Sequence, residues 1–286
     1  MSFCDPLVVL RPYPASTSDA AIVRAVEMAA AVSSRASAIA CGLEPKVPRS
    51  ILGDSLLDIS GMVGEEKRKS AEDVQRLLSK FTHEVSRRAL VLGDCISEMR
   101  RSPEVPAVLA DYARLYDLAI VPIQEVSYIA QFDARWYAEE LVFGSGHPTI
   151  IVPQAEVGGP VALSRILVAW DKSRTAARAI ADAMPILRAA AHVRLLTVFG
   201  EKEIASDRSA AELARHLELH DVKVVVDQVE ASGRAIGEVL RDQAKIQGSD
   251  LIVMGAYGRS RIREFILGGA TKAMLTQPPT ALFMSH

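Results

Sequence analysis

Cysteine is scarce in this chain: Cys4, Cys41 and Cys95 are the only three, and none forms a CxxC pair. An odd, sparse set excludes a disulfide framework and points to a reducing, cytoplasmic compartment. Aromatic residues are equally few, at 5%, while hydrophobic residues reach 49%. That balance suits an aliphatic core built around sheets. Neither sign of charge dominates. The net charge is −2, the pI is about 6.3 and the arginines are scattered, so the electrostatic footprint of a nucleic-acid binder is missing. No apolar run approaches the ~20 residues of a membrane span. The opening MSFCDPLVVLRP has neither a basic n-region nor a long apolar h-region. These absences together predict a soluble cytoplasmic protein with no nucleic-acid and no membrane partner.

What is present is a length of 286 residues, comfortable for two domains. Short apolar runs at 7–10, 36–43, 89–92, 117–122 and 148–153 read as strands, separated by segments of helical periodicity. Gly158-Gly159-Pro160 reads as a linker. The pattern then restarts, with strands at 165–170, 192–198, 222–229, 251–254 and 280–284. The helix over 175–190 contains Pro185, which should kink it. Two landmarks recur: Asp117-Leu118-Ala119-Ile120-Val121 matches Asp250-Leu251-Ile252-Val253-Met254, and Gly146-His147-Pro148-Thr149 resembles Gln277-Pro278-Pro279-Thr280. The fold class expected is α/β: two doubly wound parallel five-stranded sheets of order 3-2-1-4-5, a tandem repeat of one domain over 1–155 and 161–286. In that order the carboxyl ends of strands one and four flank the ligand-binding crevice. In the second half those ends carry Asp171 and Gly255.

The stretch over 251–275, LIVMGAYGRSRIREFILGGATKAML, is a strand, a glycine-punctuated loop and a helix start. Glycines let backbone N–H groups approach an anion, and a helix N-terminus adds partial positive charge. Tight turns need glycine too, so spacing and strand context carry the signal. Arg259, Arg261 and Arg263 either neutralise phosphates or are solvated, and Asp171 either meets a ligand or caps the helix from Thr175. His216 and His220 stand four apart, as metal ligands can, but read as an exposed helix face. Asp117 and Asp250 are expected to make local backbone contacts. Cys41 reads as buried packing, and Gly144-Ser145-Gly146 lacks the nucleophile-elbow pattern.

These residues resemble the universal stress protein family. Its nucleotide-binding members show a glycine, two residues, a glycine, nine residues, then a glycine followed by a small hydroxyl residue. Here the series is Gly255, Gly258 and Gly268, and Ile166-Leu167-Val168-Ala169-Trp170-Asp171 fits the family's first strand and its acidic end. The likeness spans about 163–283; the first half is similar in architecture but more divergent. It implies ATP, with Mg²⁺ accompanying the polyphosphate. Asp171 would lie near the adenosine and Val198 against the adenine. Gly255, Gly258 and Gly268 would let the backbone wrap the phosphates, beside Arg259. The usual hydroxyl is replaced by Gly269, leaving the N–H groups of Gly269 and Ala270 and the hydroxyl of Thr271. In the first half the first strand ends in Leu10-Arg11-Pro12, and Pro122-Ile123-Gln124-Glu125 replaces the glycine pair. No nucleotide is expected there.

The function expected is thus a regulatory stress-response protein that binds ATP or a related adenine nucleotide in its second half, with no catalytic residues, no protein-bound metal and at most slow hydrolysis. Its rivals are a partner-binding or structural module with a degenerate loop, and a nucleotide-using enzyme. Bare fifth-strand edges predict that the two halves dock on each other as an intrachain pseudo-dimer, and two such chains can then associate as a homodimer.

Overall fold

The computed structural model describes residues 3–12, 16–45, 59–123, 134–153, 161–200, 210–256 and 269–286. The first half runs β1 (Pro6–Leu10), α1 (Asp19–Val32), β2 (Arg35–Leu43), α2 (Ile59–Arg87), β3 (Val91–Arg100), α3 (Val105–Ala113), β4 (Leu118–Ile123), α4 (Ala134–Gly144) and β5 (Thr149–Pro153). The second repeats it as β6 (Arg165–Ala169), α5 (Arg174–Ala189), β7 (His192–Phe199), α6 (Ala210–Glu218), β8 (Val224–Glu230), α7 (Ile236–Ile246), β9 (Leu251–Gly255), α8 (Gly269–Thr276) and β10 (Ala281–Ser285).

Serines start the first helix of each half. Ser18 accepts from the Ala21 N–H at 3.2 Å and opens α1, and Ser173 does the same for Ala176 at 3.0 Å and opens α5. Ser16, the other capping choice for α1, instead accepts from the Arg76 guanidinium. Helix α5 continues past Pro185 to Ala189. The buried stripe of Ala176, Ala179, Ile180, Ala183, Ile186 and Leu187 holds it on the sheet although one intrahelical donor is lost.

The strand order is β3-β2-β1-β4-β5-β10-β9-β6-β7-β8 in a single ten-stranded sheet. Each half has the expected 3-2-1-4-5 order. The two join where β5 and β10 pair antiparallel, Ile151 opposite Leu282; every other pairing is parallel. Helices cover both faces, as parallel strands require. The core on one face holds Ile22, Phe81, Ile180 and Leu217, from α1, α2, α5 and α6. The core on the other holds Leu109, Leu141, Leu240 and Met274, from α3, α4, α7 and α8.

Asp117 and Asp250 correct the expectation of local contacts. Asp117 Oδ2 accepts from the N–H groups of Cys4 and Asp5 at 2.7 and 3.1 Å. Asp250 Oδ2 accepts from those of Ser164 and Arg165 at 3.0 and 2.7 Å. Each carboxylate reaches back to the start of its half and ties the fourth strand to the first. It satisfies two donors there that the sheet leaves open.

Candidate functional site

Strand β6 lies between β9 and β7. Its crossover α5 packs in the first core and α8, which follows β9, in the second. The carboxyl ends of β6 and β9 therefore flank a topological switch point, where such sheets leave a crevice.

Beyond β6 the Trp170 N–H donates to the Leu196 carbonyl at 2.8 Å, so the ladder extends one residue past Ala169. Continued one step further, the register sets Asp171 beside Val198. Asp171 is exposed and Val198 half-buried. Asp171 Oδ1 accepts from the Ser173 N–H at 2.9 Å, an Asx turn that carries Lys172 at a φ of 60°. Asp171 therefore shapes the turn, and Ser173, not Asp171, caps α5. The signal in the sequence was an acidic residue two before a serine that itself precedes an apolar periodic run.

Gly255 closes β9, and the reason for glycine is visible. A Cβ there would sit 2.4 Å from the Ala176 nitrogen and 2.5 Å from the Thr175 carbonyl carbon. The first turn of α5 rests directly on the end of β9, so only a residue without a side chain fits. Gly255 thereby brings the Asp171 turn, the buried Thr175 and the strand end into one place. The path after β9 is held by the Ala256 N–H, which donates to the Ser285 carbonyl at 2.8 Å.

Helix α8 supplies the other candidate residues. Gly269 is exposed, with nothing within 4 Å of where a Cβ would stand. Ala270 is half-buried, and Thr271 is buried at 4% exposure. The opening turn of α8 thus presents backbone N–H groups at Gly269 and Ala270, which suits an anion, while Thr271 belongs to the packed side. Gly258, Arg259 and Gly268, with Arg261 and Arg263, lie outside the described residues. Residues not anticipated are Ser173, Thr175 and Trp170, whose buried indole nitrogen has no hydrogen-bond partner among the described residues.

The remaining candidates fall elsewhere. His216 is on α6 and His220 beyond its end; their rings meet edge to face, 4.9 Å between centroids, and His220 Nδ1 lies 3.2 Å from the Arg188 guanidinium. Among the described residues no group of three or more His, Cys, Asp or Glu could hold a metal ion, and no helix is long and apolar enough to cross a membrane. Burial pushes the Cys41 thiol up to about 12, so it is an inert core group. The Ser145 hydroxyl donates to the Leu141 carbonyl at 2.6 Å.

The model of the universal stress protein family matches residues 163–284. A universal stress protein from Archaeoglobus fulgidus DSM 4304 superposes with a TM-score of 0.70 at 13% identity, over 98% of this chain and 95% of that one. A putative universal stress protein from Pseudomonas aeruginosa UCBPP-PA14 does so with a TM-score of 0.55 at 14% identity, over 98% and 92%. Both therefore share the whole two-part fold. A universal stress protein in complex with cAMP matches 44% of this chain and 98% of its own at 21% identity, with a TM-score of 0.35. No curated protein matches the sequence.

Proposed function

From the premise that this chain is a tandem universal stress protein, with a domain of that family at residues 163–284 and the same fold in its first half, we propose that the crevice between β6 and β9 binds an adenine nucleotide. The observation that carries this is Gly255, a strand end kept free of side chain so that the first turn of α5 can lie on it. It stands beside Asp171 at the one switch point of the second half. Asp171 meets the ribose side, Val198 packs on the base, and the N–H groups of Gly269 and Ala270 face the phosphates with Gly258, Arg259 and Gly268. The residues fit the group: the space over Gly269 is open and the start of α8 is exposed. When bound, ATP with Mg²⁺ supplies a polyphosphate whose presence orders one arrangement of the crevice over another.

The role is regulatory, in the cytoplasm, and no described residue is assigned as a catalytic base. The domains divide at 1–155 and 161–286, and the first serves as the partner that a single-domain member would find in a second subunit. Gly269, in place of a hydroxyl residue, favours one other reading: a partner-binding module whose glycine loop is structural. Mass spectrometry of small molecules released from freshly purified, denatured protein separates the two. ATP or ADP near one per chain, lost in Gly258→Val and reduced in Asp171→Ala, is the expected result. No release, together with no binding on titration with Mg-ATP, removes the nucleotide reading.

A further inference from the structure

A second cleft, of about 400 Å³, opens at the opposite ends of the same strands, where β6, β9 and β10 begin and β5 finishes. It borders a mismatch across the junction of the two halves. Strands β5 and β10 pair antiparallel about Ile151 and Leu282, which the internal repeat also matches to each other. A local two-fold axis therefore exchanges Ile150 with Ala281 and Val152 with Phe283. All four side chains belong to one core face. On one side of the axis Phe283 stands opposite Ile150 and packs on Phe3, ring centroids 6.5 Å apart. On the other side the register, carried one rung on, sets Val152 opposite Ala281, and both line the cleft. Two small side chains occupy the positions that hold two larger ones across the axis, and both border the cleft.

Its charge is one-sided. Arg24 from α1, Arg165 from β6 and Lys245 from the last turn of α7 line it, with Asp250 as the one carboxylate among the described lining residues. Asp250 Oδ2 is already taken by the backbone N–H groups of Ser164 and Arg165. Arg24 also pairs with Glu27 at 3.2 Å, and Arg165 lies 3.9 Å from Asp250 Oδ1; these carboxylates offset part of the positive charge, and Lys245 adds to what remains. Met28, Val152 and Val161 supply an apolar wall. Small-molecule sites run from about 300 to 1,000 Å³, mostly apolar, with a few convergent polar groups. Two guanidinium forks and an ammonium suit a phosphate dianion. We propose that this cleft binds a small phosphomonoester carrying an apolar or aromatic body, independently of any nucleotide at the other end of the sheet.

Phenyl phosphate, titrated into the full chain and followed by calorimetry and by NMR, tests this. Saturable binding of one molecule per chain is expected. Arg165→Ala and Lys245→Ala should each weaken it about tenfold or more. Val152→Phe, which restores the large residue found across the axis, should abolish it with the melting temperature held or raised. Mg-ATP should leave the affinity unchanged. No binding at millimolar phenyl phosphate overturns the proposal. So does binding that both cation variants leave intact, which also decides the matter if Val152→Phe fails to fold. Displacement by ATP that Asp171→Ala prevents while both cation variants leave it intact overturns it as well, since that places the probe at the β6/β9 crevice.

Discussion

The two switch points of this molecule share one topology and differ at two strand ends. After β1 the chain meets Arg11, buried at 9% exposure. Its N–H donates to the Thr17 hydroxyl at 2.9 Å, and its carbonyl accepts from the Thr17 N–H at 2.7 Å. The connection closes on itself. After β6 comes exposed Asp171 in a short Asx turn, and Ser173 starts the helix at once. The partner strand β4 continues through Pro122 to Ile123, whereas β9 stops at Gly255. A crevice is thus a property of the fold, and the two crevices differ by one or two residues at the strand ends.

The largest expected effect comes from filling the space that separates the two cases. Gly255→Ala sets a methyl against backbone atoms of α5. Overpacking typically costs about 1–3 kcal/mol, and rigid backbone places this near the upper end. Urea unfolding should show it, while Gly269→Ala, with open space around it, should change stability by less than about 0.5 kcal/mol. Equal effects would mean that Gly255 is not a contact point.

The aspartate clamps should behave alike in the two halves. Asp117→Ala and Asp250→Ala each remove two charge-assisted hydrogen bonds from backbone donors. Partial exposure reduces the loss to roughly 1–2 kcal/mol apiece. A loss confined to one half, read by hydrogen exchange of its first strand, would break the equivalence.

Alkaline pH should divide the halves instead. Burial pushes Cys41, Tyr116 and Tyr137 up to about 12, with the Asp94 carboxylate adding to the effect on Tyr116. All three lie in the first half. Because the folded values exceed the unfolded ones, the unfolded chain loses these protons first. Stability is intact below about pH 9 and falls as pH rises towards 12. Thiol alkylation followed against pH checks this: exposed Cys4 and Cys95 should react near neutrality, and Cys41 only as the first half opens. Early reaction of Cys41 would contradict its packing.

The smallest effect sharpens the nucleotide reading. Gly269→Ser restores the hydroxyl usual at that position of the family's loop. One hydrogen bond to a charged group is worth about 1.5–3 kcal/mol at best, so a gain of about tenfold, and at most about a hundredfold, in ATP affinity is expected by calorimetry. No change would leave the backbone N–H groups as the whole of that contact.

Much of the fold was legible before any coordinates. Apolar runs located the central strands closely, because burial on both faces demands unbroken apolar strands; the run at 89–92 caught only the start of the exposed edge strand β3, Val91–Arg100. The match between 117–121 and 250–254 exposed the repeat. The candidate site was legible in kind, through a strand ending in glycine and an acidic residue ending its neighbour. What Gly255 touches was not, since α5 begins some eighty residues earlier in the chain. Nor was the reach of Asp117 and Asp250, because a side chain's partner across such a separation leaves no periodic trace.

The sequence by itself determined the elements, their order and the places where the backbone had to be bare, since periodicity, capping and turn chemistry act over a few residues. Tertiary structure decided the rest: that two five-stranded units share one sheet, that Ser173 and not Asp171 caps α5, and that Val152 and Ala281 border a cleft while Phe283 stands opposite Ile150 and packs on Phe3. Each depends on which residues are opposed across the β5–β10 rung or pressed together by a helix, and opposition of that kind exists only once the chain has closed on itself.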